Sequence, residues 1–264
     1  MRSRVEVGGG QPVGYVDHGG DGPVVLLLHG YLMDADMFAP QVAALGGAFR
    51  LIAMDVRGHG ATPAVGAFTY RDLACDALGL LDALGVARCA VVGVSAGGAI
   101  ALHMASQAPD RVAALALLGT SGAREEPEMG LAHWRAAHAW RDQGPTPAVL
   151  DLNARTCLGR HDATEWKARW RHLSGIDVLT VLIPLAKRDG MLDSANQIRC
   201  PALVMHGTAD AVYTVDHAYE LTEALPNAVP PVIIDGGAHF LNLTDADAVN
   251  AHLRAFLGWA MGSA

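Results

Sequence analysis

The chain has 264 residues, of which 51% are apolar and 17% are charged. This composition is typical of a compact globular protein and excludes an extended disordered chain. The formal net charge is −8 and the sequence contains no basic run, so we expect no nucleic-acid partner.

Four cysteines are widely spaced and form no C-x-x-C pair. Their pattern predicts reduced, buried thiols in a cytoplasmic protein, without a disulfide framework or a zinc site. The first ten residues also lack the apolar core of a signal peptide. The cysteines are Cys75, Cys89, Cys157 and Cys200.

The stretch 89–109 has no carboxylate or ammonium and is long enough to span a bilayer. However, it contains Gly93, Ser95, Gly97 and Gly98, and its β-branched run stops at Ser95. A strand, a tight turn and a helix explain this pattern better than a membrane span, so we expect no membrane association.

Short apolar runs alternate with helical patterns along most of the chain. The helical patterns cover about 70–84, 96–107 and 215–225, with a last one from about 245. The apolar runs predict strands that are buried on both faces, which indicates a parallel sheet covered by helices. These strands lie at 24–28, 51–54, 91–94, 112–118, 202–205 and 232–234.

The alternation is interrupted between about 122 and 196, where the pattern is helical and four of the five tryptophans fall. Glycine and proline breakers divide this stretch into about four short helices. We interpret residues 122–196 as a helical lid inserted into a core domain of residues 1–121 and 197–264. The alternative is that these helices simply cover the sheet.

The pattern Gly93-Val94-Ser95-Ala96-Gly97 lies between a predicted strand and a predicted helix. In that context G-x-S-x-G indicates a nucleophile elbow, a tight turn that lifts the serine hydroxyl above the sheet. The turn leaves little room for side chains two residues to either side, which Gly93 and Gly97 satisfy. Ser95 is therefore the candidate nucleophile.

A serine hydroxyl needs a base, and His239 is the best placed of twelve histidines. It follows the last predicted strand, and loops at the carboxyl ends of parallel strands meet above the sheet. His103 and His206 fall in apolar contexts and are interpreted as core residues. Four more belong to the predicted lid and are interpreted as structural: His133, His138, His161 and His172.

The acid that orients the base is predicted to be Asp210, which follows the strand at 202–205. The chain order is then Ser, Asp, His, as expected for a sheet of this kind. Asp235 is the rival, but it lies only four residues before His239 in the same segment.

The tetrahedral intermediate of acyl transfer needs two preorganised N–H donors, each contributing about 3–4 kcal/mol. By position these are the backbone amides of Ala96 and Tyr31, with Leu32 as the alternative to Tyr31. His29 is predicted to brace this loop rather than to take part in chemistry.

Together these motifs resemble the α/β-hydrolase fold family, close to its lid-bearing, esterase-like members. The resemblance covers nearly the whole chain except the lid and implies a mostly parallel eight-stranded sheet with helices on both faces. The serine at the elbow argues against dehalogenases and epoxide hydrolases, which place aspartate there. The matching segments are Leu28–Tyr31, Asp55–Gly60, Gly93–Gly97, His206–Asp210 and Gly237–Phe240.

The resemblance also implies how the residues act. Ser95 attacks a carbonyl while His239 takes its proton, Asp210 steadies the imidazolium, and the amides of Ala96 and Tyr31 hold the oxyanion. In that family the Asp55–Gly60 turn is a structural corner, so Asp55 and His59 are given no catalytic part.

The substrate is expected to be a carboxylic ester of a small to medium apolar molecule. Two other substrates stay open: a lactone, and a compound with a carbon–carbon bond beside a ketone. Two other functions also stay open: binding of a small ligand without turnover, and docking of a protein partner by the lid. No cofactor or metal is expected, and no oligomeric state is predicted. The predicted pocket residues are Leu32, Trp134, His138, Leu182, Leu185 and Phe240.

The proposed base predicts a pH profile. We expect kcat/KM to fall below roughly pH 6–7, because a protonated His239 cannot accept the serine proton. The measurement is the initial rate of ester hydrolysis across a series of buffers. A rate that stays flat from about pH 4 to about pH 9 would contradict the assignment.

Overall fold

The computed structural model describes residues 1–173 and 175–262. Within these residues, eight strands form one sheet. The strands are β1 (Arg2–Val7), β2 (Gln11–Asp17), β3 (Val24–Leu28), β4 (Arg50–Met54), β5 (Cys89–Val94), β6 (Val112–Leu118), β7 (Ala202–Gly207) and β8 (Val232–Ile234).

The order of strands across the sheet is β1-β2-β4-β3-β5-β6-β7-β8. The β1–β2 and β2–β4 pairs are antiparallel, and the other five pairs are parallel. Strands β5, β6 and β7 are buried along their whole length, so both faces of the sheet are covered. The predicted mostly parallel, eight-stranded sheet is confirmed.

Eleven α-helices lie in the described part of the chain. The sequence marks α2 clearly: Thr69 and Asp72 form a capping box at its start, and Gly85 follows its end with a positive φ of 65°. The helices are α1 (Ala39–Leu45), α2 (Tyr70–Ala83), α3 (Ala96–Gln107), α4 (Pro127–Gln143), α5 (Pro147–Leu158), α6 (Thr164–Trp170), α7 (Gly175–Ala186), α8 (Leu192–Ala195), α9 (Val215–Ala224), α10 (Leu241–Thr244) and α11 (Ala246–Met261).

The stretch between β6 and β7 contains helices and, among the described residues, no strand. It holds five helices, α4 to α8, where the breakers predicted about four. Three of its tryptophans are buried, and Trp134 is 41% exposed. We refer to α4–α8 as the helical segment. The predicted boundaries of this segment at residues 122 and 196 stay a prediction. Ser174, Ser263 and Ala264 lie outside the described residues.

The apolar stretch 89–109 contains β5, a turn at Ser95 and α3, as the glycines predicted. No helix among the described residues combines the length and apolarity needed to cross a bilayer.

The prediction that all four cysteines are buried was wrong for Cys75. Cys75 is exposed, Cys89 is buried, and Cys157 and Cys200 are partly buried. The error arose because Cys75 lies one position beyond the apolar stripe of α2, between Ala74 and the buried Asp76. Residue type alone placed it on the wrong face of that helix.

The carboxylate of Asp55, whose side chain is fully buried just after β4, contacts three other segments of the chain. Its two oxygens accept hydrogen bonds from the backbone N–H groups of Ala35 and Ala61, each at 2.9 Å. The guanidinium of Arg2, on β1, lies 2.9 Å from the same carboxylate. Asp55 therefore joins three segments, which fits the structural part predicted for this corner.

We expect Asp55→Ala to lower the free energy of unfolding by about 2–5 kcal/mol, because one buried and one partly buried N–H group lose their acceptor. The measurement is urea denaturation of the purified protein, followed by circular dichroism. Asp21→Ala, at an exposed loop position, is the matched control and should change stability by less than about 0.5 kcal/mol. Equal midpoints for the two variants would contradict this role.

Candidate active site

Ser95 lies in the tight turn between β5 and α3, with φ 52° and ψ −115°. A positive φ is strained for a non-glycine residue and persists only where the surrounding structure enforces it. Here the amide of Ser95 donates to the carbonyl of Leu118 on the adjacent strand, at 2.8 Å. A β-carbon on Gly97 would collide with the carbonyl oxygen of Leu28. The glycine therefore lets α3 approach β3 closely enough for the turn to form.

Two further loops reach the same end of the sheet. Asp210 follows β7 and His239 follows β8, and these two strands are parallel neighbours. The loops touch at Gly207, where a β-carbon would collide with the carbonyl oxygen of Gly237. Carboxyl ends of parallel strands meet at one edge, and this close approach brings the acid and the base together there.

A continuous chain of hydrogen bonds joins the three side chains. The Nδ1 atom of His239 lies 2.8 Å from Oδ2 of Asp210, and Nε2 lies 2.8 Å from Oγ of Ser95. An ionised carboxylate only accepts, so Nδ1 carries the hydrogen and Nε2 accepts the hydroxyl proton of Ser95. The structure thus brings together the three residues that the sequence singled out.

Asp210 is surrounded by donors. One oxygen accepts from the amides of Val212 and Tyr213 at 2.7 and 3.0 Å, and Nε2 of His206 lies 3.2 Å from the other. Burial raises the pKa of Asp210, but the charge of His239 and the hydrogen bonds of His206 and His239 outweigh burial. The net result is a pKa well below the usual aspartate range. Asp210 therefore stays ionised where it contacts the imidazole.

His206 has a part that sequence reasoning missed. It was interpreted as a core histidine, and it is fully buried, but its Nε2 contacts both Asp210 and the carbonyl of Tyr213, the latter at 3.0 Å. Its spacing of four residues from Asp210 was the available signal. His206 contacts the same carboxylate oxygen, Oδ2, that His239 contacts.

The remaining candidates lie elsewhere. The carboxylate of Asp235 accepts a hydrogen bond from the hydroxyl of Thr208 at 3.1 Å and is exposed. Five other histidines make no hydrogen bond to Ser95 or Asp210 in the described part of the chain: His103, His133, His138, His161 and His172.

Two backbone N–H groups beside Ser95 have no acceptor among the described residues. They belong to Tyr31, in the loop after β3, and to Ala96, the first residue of α3. The amide of Leu32, in contrast, donates to Nε2 of His59 at 3.2 Å. Tyr31 and Ala96 therefore offer free donors next to the serine, whereas the amide of Leu32 is already used.

Neutral histidines brace the loop that carries Tyr31. The Nε2 atom of His29 accepts from the amide of Val56 at 2.9 Å, so it acts as the brace that the sequence predicted. Burial lowers the pKa of His29 to about 4 and that of His59 to about 3, so both rings stay neutral and can accept from an amide. Sequence reasoning missed Trp170, whose indole N–H donates to the carbonyl of Leu32 at 2.9 Å.

A small cavity of about 20 Å³ lies next to Ala96, the chain neighbour of Ser95, under α7. A space of this size holds about one water molecule. Gly30, Tyr31 and Ala96 form its wall next to the serine. The rest of the lining is mostly apolar and includes Val56, Phe68, Tyr70, Leu73, Ile100, Val181, Pro184 and Leu185.

The set of six predicted pocket residues stays a prediction, because this cavity is too small to hold a substrate. Of the six, Leu185 lines this cavity and the other five do not. Three are packed in the core and at most 9% exposed, and the Trp134 and His138 rings lie against each other on α4. Helical periodicity shows which residues share a face, but it does not show which face meets the site. The three core residues are Leu32, Leu182 and Phe240.

The arrangement is suited to nucleophilic chemistry at a carbonyl. It presents a hydroxyl hydrogen-bonded to an imidazole, a carboxylate that orients the imidazole, and two unused amide donors nearby. Among residues 1–173 and 175–262, no group of three His, Cys, Asp or Glu side chains has the spacing to hold a metal ion.

Known proteins match this chain over most of its length. A family model described as the alpha/beta hydrolase fold matches residues 23–246. The acetoin-cleaving system's dihydrolipoyllysine-residue acetyltransferase component from Pseudomonas putida is 30% identical over 256 residues. That match covers 94% of this chain and 67% of the relative, so the chain spans about two thirds of its length.

Two other relatives match over most of their own length. The pimeloyl-[acyl-carrier protein] methyl ester esterase from Chromobacterium violaceum is 31% identical over 228 residues, which cover 81% of this chain and 87% of that protein. The structure of the enol-lactonase from Burkholderia xenovorans superimposes with a TM-score of 0.88 at 28% identity, covering 97% of this chain and 99% of that one.

Proposed function

The chain belongs to the alpha/beta hydrolase fold family, and on that premise we propose that it is a serine hydrolase acting on a carboxylic ester. The observation that carries the proposal is the hydrogen-bonded chain from Asp210 through His239 to Ser95. The ester is that of a small to medium apolar molecule, and cleavage passes through an acyl-enzyme.

In the first half of the reaction, Oγ of Ser95 attacks the ester carbonyl carbon and its proton passes to Nε2 of His239. Asp210 stabilises the imidazolium that results. The tetrahedral intermediate then breaks its bond to the alcohol oxygen, which leaves with the proton from Nε2. Ser95 is now acylated and His239 is neutral again.

In the second half, water attacks the acyl carbon and gives a proton to Nε2 of His239. The intermediate breaks its bond to Oγ of Ser95, which takes the proton back, and the free acid departs. In both halves the amides of Tyr31 and Ala96 hold the negative oxygen. Their lack of other acceptors supports this assignment.

The helical segment is proposed to act as a lid, with residues 122–196 as its extent. The cavity under α7 is too small for an ester, so the lid must move before a substrate can reach Ser95. The amide of Phe240, next to His239, donates to the carbonyl of Cys157 at the end of α5, at 2.9 Å. This hydrogen bond links the position of the lid to that of His239.

Localisation in the cytoplasm stays a prediction.

A lactone is the second candidate substrate, because the Burkholderia relative is named an enol-lactonase. A lactone is an internal ester, so the same residues would open it, and the leaving oxygen would stay attached to the acyl group. Comparison of open-chain esters with lactones of equal carbon number would decide between the two.

We expect 4-nitrophenyl butyrate to be hydrolysed, and Ser95→Ala to lower kcat by at least about 10³-fold, because no other group can form the acyl-enzyme. The measurement is release of 4-nitrophenol by absorbance. Ser3→Ala, at an exposed position of β1, is the matched control and should keep the wild-type rate. Equal release by wild type and Ser95→Ala would contradict the proposal and favour a protein that binds a ligand without turnover.

A further inference from the structure

A second cavity, of about 150 Å³, lies between the start of α2 and the end of α7. It shares three lining residues, Phe68, Tyr70 and Pro184, with the small cavity beside Ser95. The two spaces are therefore neighbours, and the second lies farther from Ser95 along the direction in which a longer substrate would extend.

Arg188 lines the second cavity and is only 4% exposed. Its Nη2 atom donates to the carbonyl of Ala123 at 3.1 Å and lies 3.3 Å from Oε2 of Glu125. Its Nε and Nη1 atoms are buried and have no acceptor in the described part of the chain. Because a guanidinium has five N–H donors, three of those on Arg188 are left unsatisfied.

Unsatisfied donors on a buried cation are costly, and in a folded protein they usually have a partner. Glu125 contacts Arg188 only through Oε2, which lies 3.3 Å from Nη2 and accepts from the hydroxyl of Tyr213 at 3.3 Å; its Oε1 is also buried and, among the described residues, makes no hydrogen bond to Nε or Nη1. The side of Arg188 that carries Nε and Nη1 therefore has the chemistry to bind an additional acceptor.

Arg188 is also close to the reacting groups. Its guanidinium carbon lies 5.8 Å from the centre of the Tyr213 ring, and that ring also contacts His217 and His239, the latter at 5.8 Å between ring centres. One aromatic ring thus separates the cation from the base. This places Arg188 within reach of a substrate of medium length bound at Ser95.

The charge around the second cavity favours an anion. Arg71 and Lys187 also line it, and neither makes an ion pair with a described residue. Asp189 is the one acidic residue in the described lining, and it lies 3.6 Å from Arg124. Arg188 is paired with Glu125 and Asp189 with Arg124, so Arg71 and Lys187 give the lining its excess positive charge, in a chain whose net charge is −8. Such a cavity raises the local concentration of anionic ligands.

We propose that the second cavity is a subsite for a carboxylate carried by the substrate, and that Arg188 determines this specificity. The substrate class is then an ester with a free carboxylate at its far end, in place of the wholly apolar ester expected from the sequence. The inference rests on the proposed function, since it needs an ester bound at Ser95. Carboxylates suit Arg188 because hydrogen bonds between ionised partners are roughly twice as strong as neutral ones.

The kinetic test uses pairs of esters that differ only in charge. For the acyl side, mono-4-nitrophenyl glutarate, which carries a free carboxylate, is compared with the uncharged 4-nitrophenyl methyl glutarate. For the alcohol side, 4-carboxyphenyl butyrate is compared with its methyl ester. In at least one pair we expect the wild type to prefer the anionic ester in kcat/KM, and Arg188→Lys to reduce that preference at least about tenfold.

Arg188→Lys keeps a positive charge next to Glu125 and so protects the fold. The double variant Arg188→Gln/Glu125→Gln removes both buried charges together, and we expect it to lose the preference as well. Arg4→Gln, at an exposed position of β1, is the matched control for charge at a distance and should keep the wild-type ratio.

A binding measurement distinguishes failure of the carboxylate subsite from failure of the proposed ester hydrolysis. Monomethyl and dimethyl glutarate are titrated calorimetrically into Ser95→Ala, and we expect the monomethyl ester to bind more tightly through Arg188. If no ester is hydrolysed in a Ser95-dependent way, the proposed function fails. If esters are hydrolysed but neither charge ratio nor binding depends on Arg188, the carboxylate subsite is overturned and Arg188 is a structural partner of Glu125.

Discussion

The site depends on one constraint, the strained turn that holds Ser95 at the end of β5. Its φ of 52° is maintained because β3, β6 and α3 surround the turn, and Gly97 allows α3 to lie against the carbonyl of Leu28. The turn directs the hydroxyl toward the edge where the loops after β7 and β8 meet. The contact of 2.8 Å between Oγ of Ser95 and Nε2 of His239 depends on this turn.

A layer of buried polar groups holds the neighbouring loops in place. His206 and two amides fix Asp210, while His29, His59 and Trp170 fix the loop that carries Tyr31. The histidines contribute because they are neutral: burial lowers the pKa of His29 and His59 far enough for each ring to accept from an amide. These groups maintain free donors at Tyr31 and Ala96 and a fixed imidazole at His239 before any substrate arrives, which limits reorganisation during the reaction.

Much of the fold could be predicted from the sequence, because the central strands carry continuous apolar runs and end at distinctive loops. The strand patterns from β3 to β8 were recognised in this way, and so were the loops that bring Ser95, Asp210 and His239 together. Strands β1 and β2 were not recognised from their residues. Most of β1 is exposed and β2 contains Pro12 and Gly14, so neither shows an apolar run.

Pocket residues were harder to predict, because the position of each side chain depends on how α4–α8 pack onto the core. Leu182 and Leu185 lie on the same helix, yet only Leu185 lines the cavity beside Ser95. Likewise, nothing in the sequence around Arg188 indicates that its guanidinium is buried with unsatisfied donors. Such properties arise from tertiary contacts between distant segments.

We infer that His239 makes the hydroxyl of Ser95 nucleophilic. The most direct measurement is covalent labelling by an alkyl fluorophosphonate, with the modified residue located by peptide mass spectrometry. We predict one adduct, on Ser95, and labelling of His239→Gln that is at least about 10³-fold slower, because the serine then lacks its base. Labelling at another residue, or equal labelling rates in wild type and His239→Gln, would contradict the account.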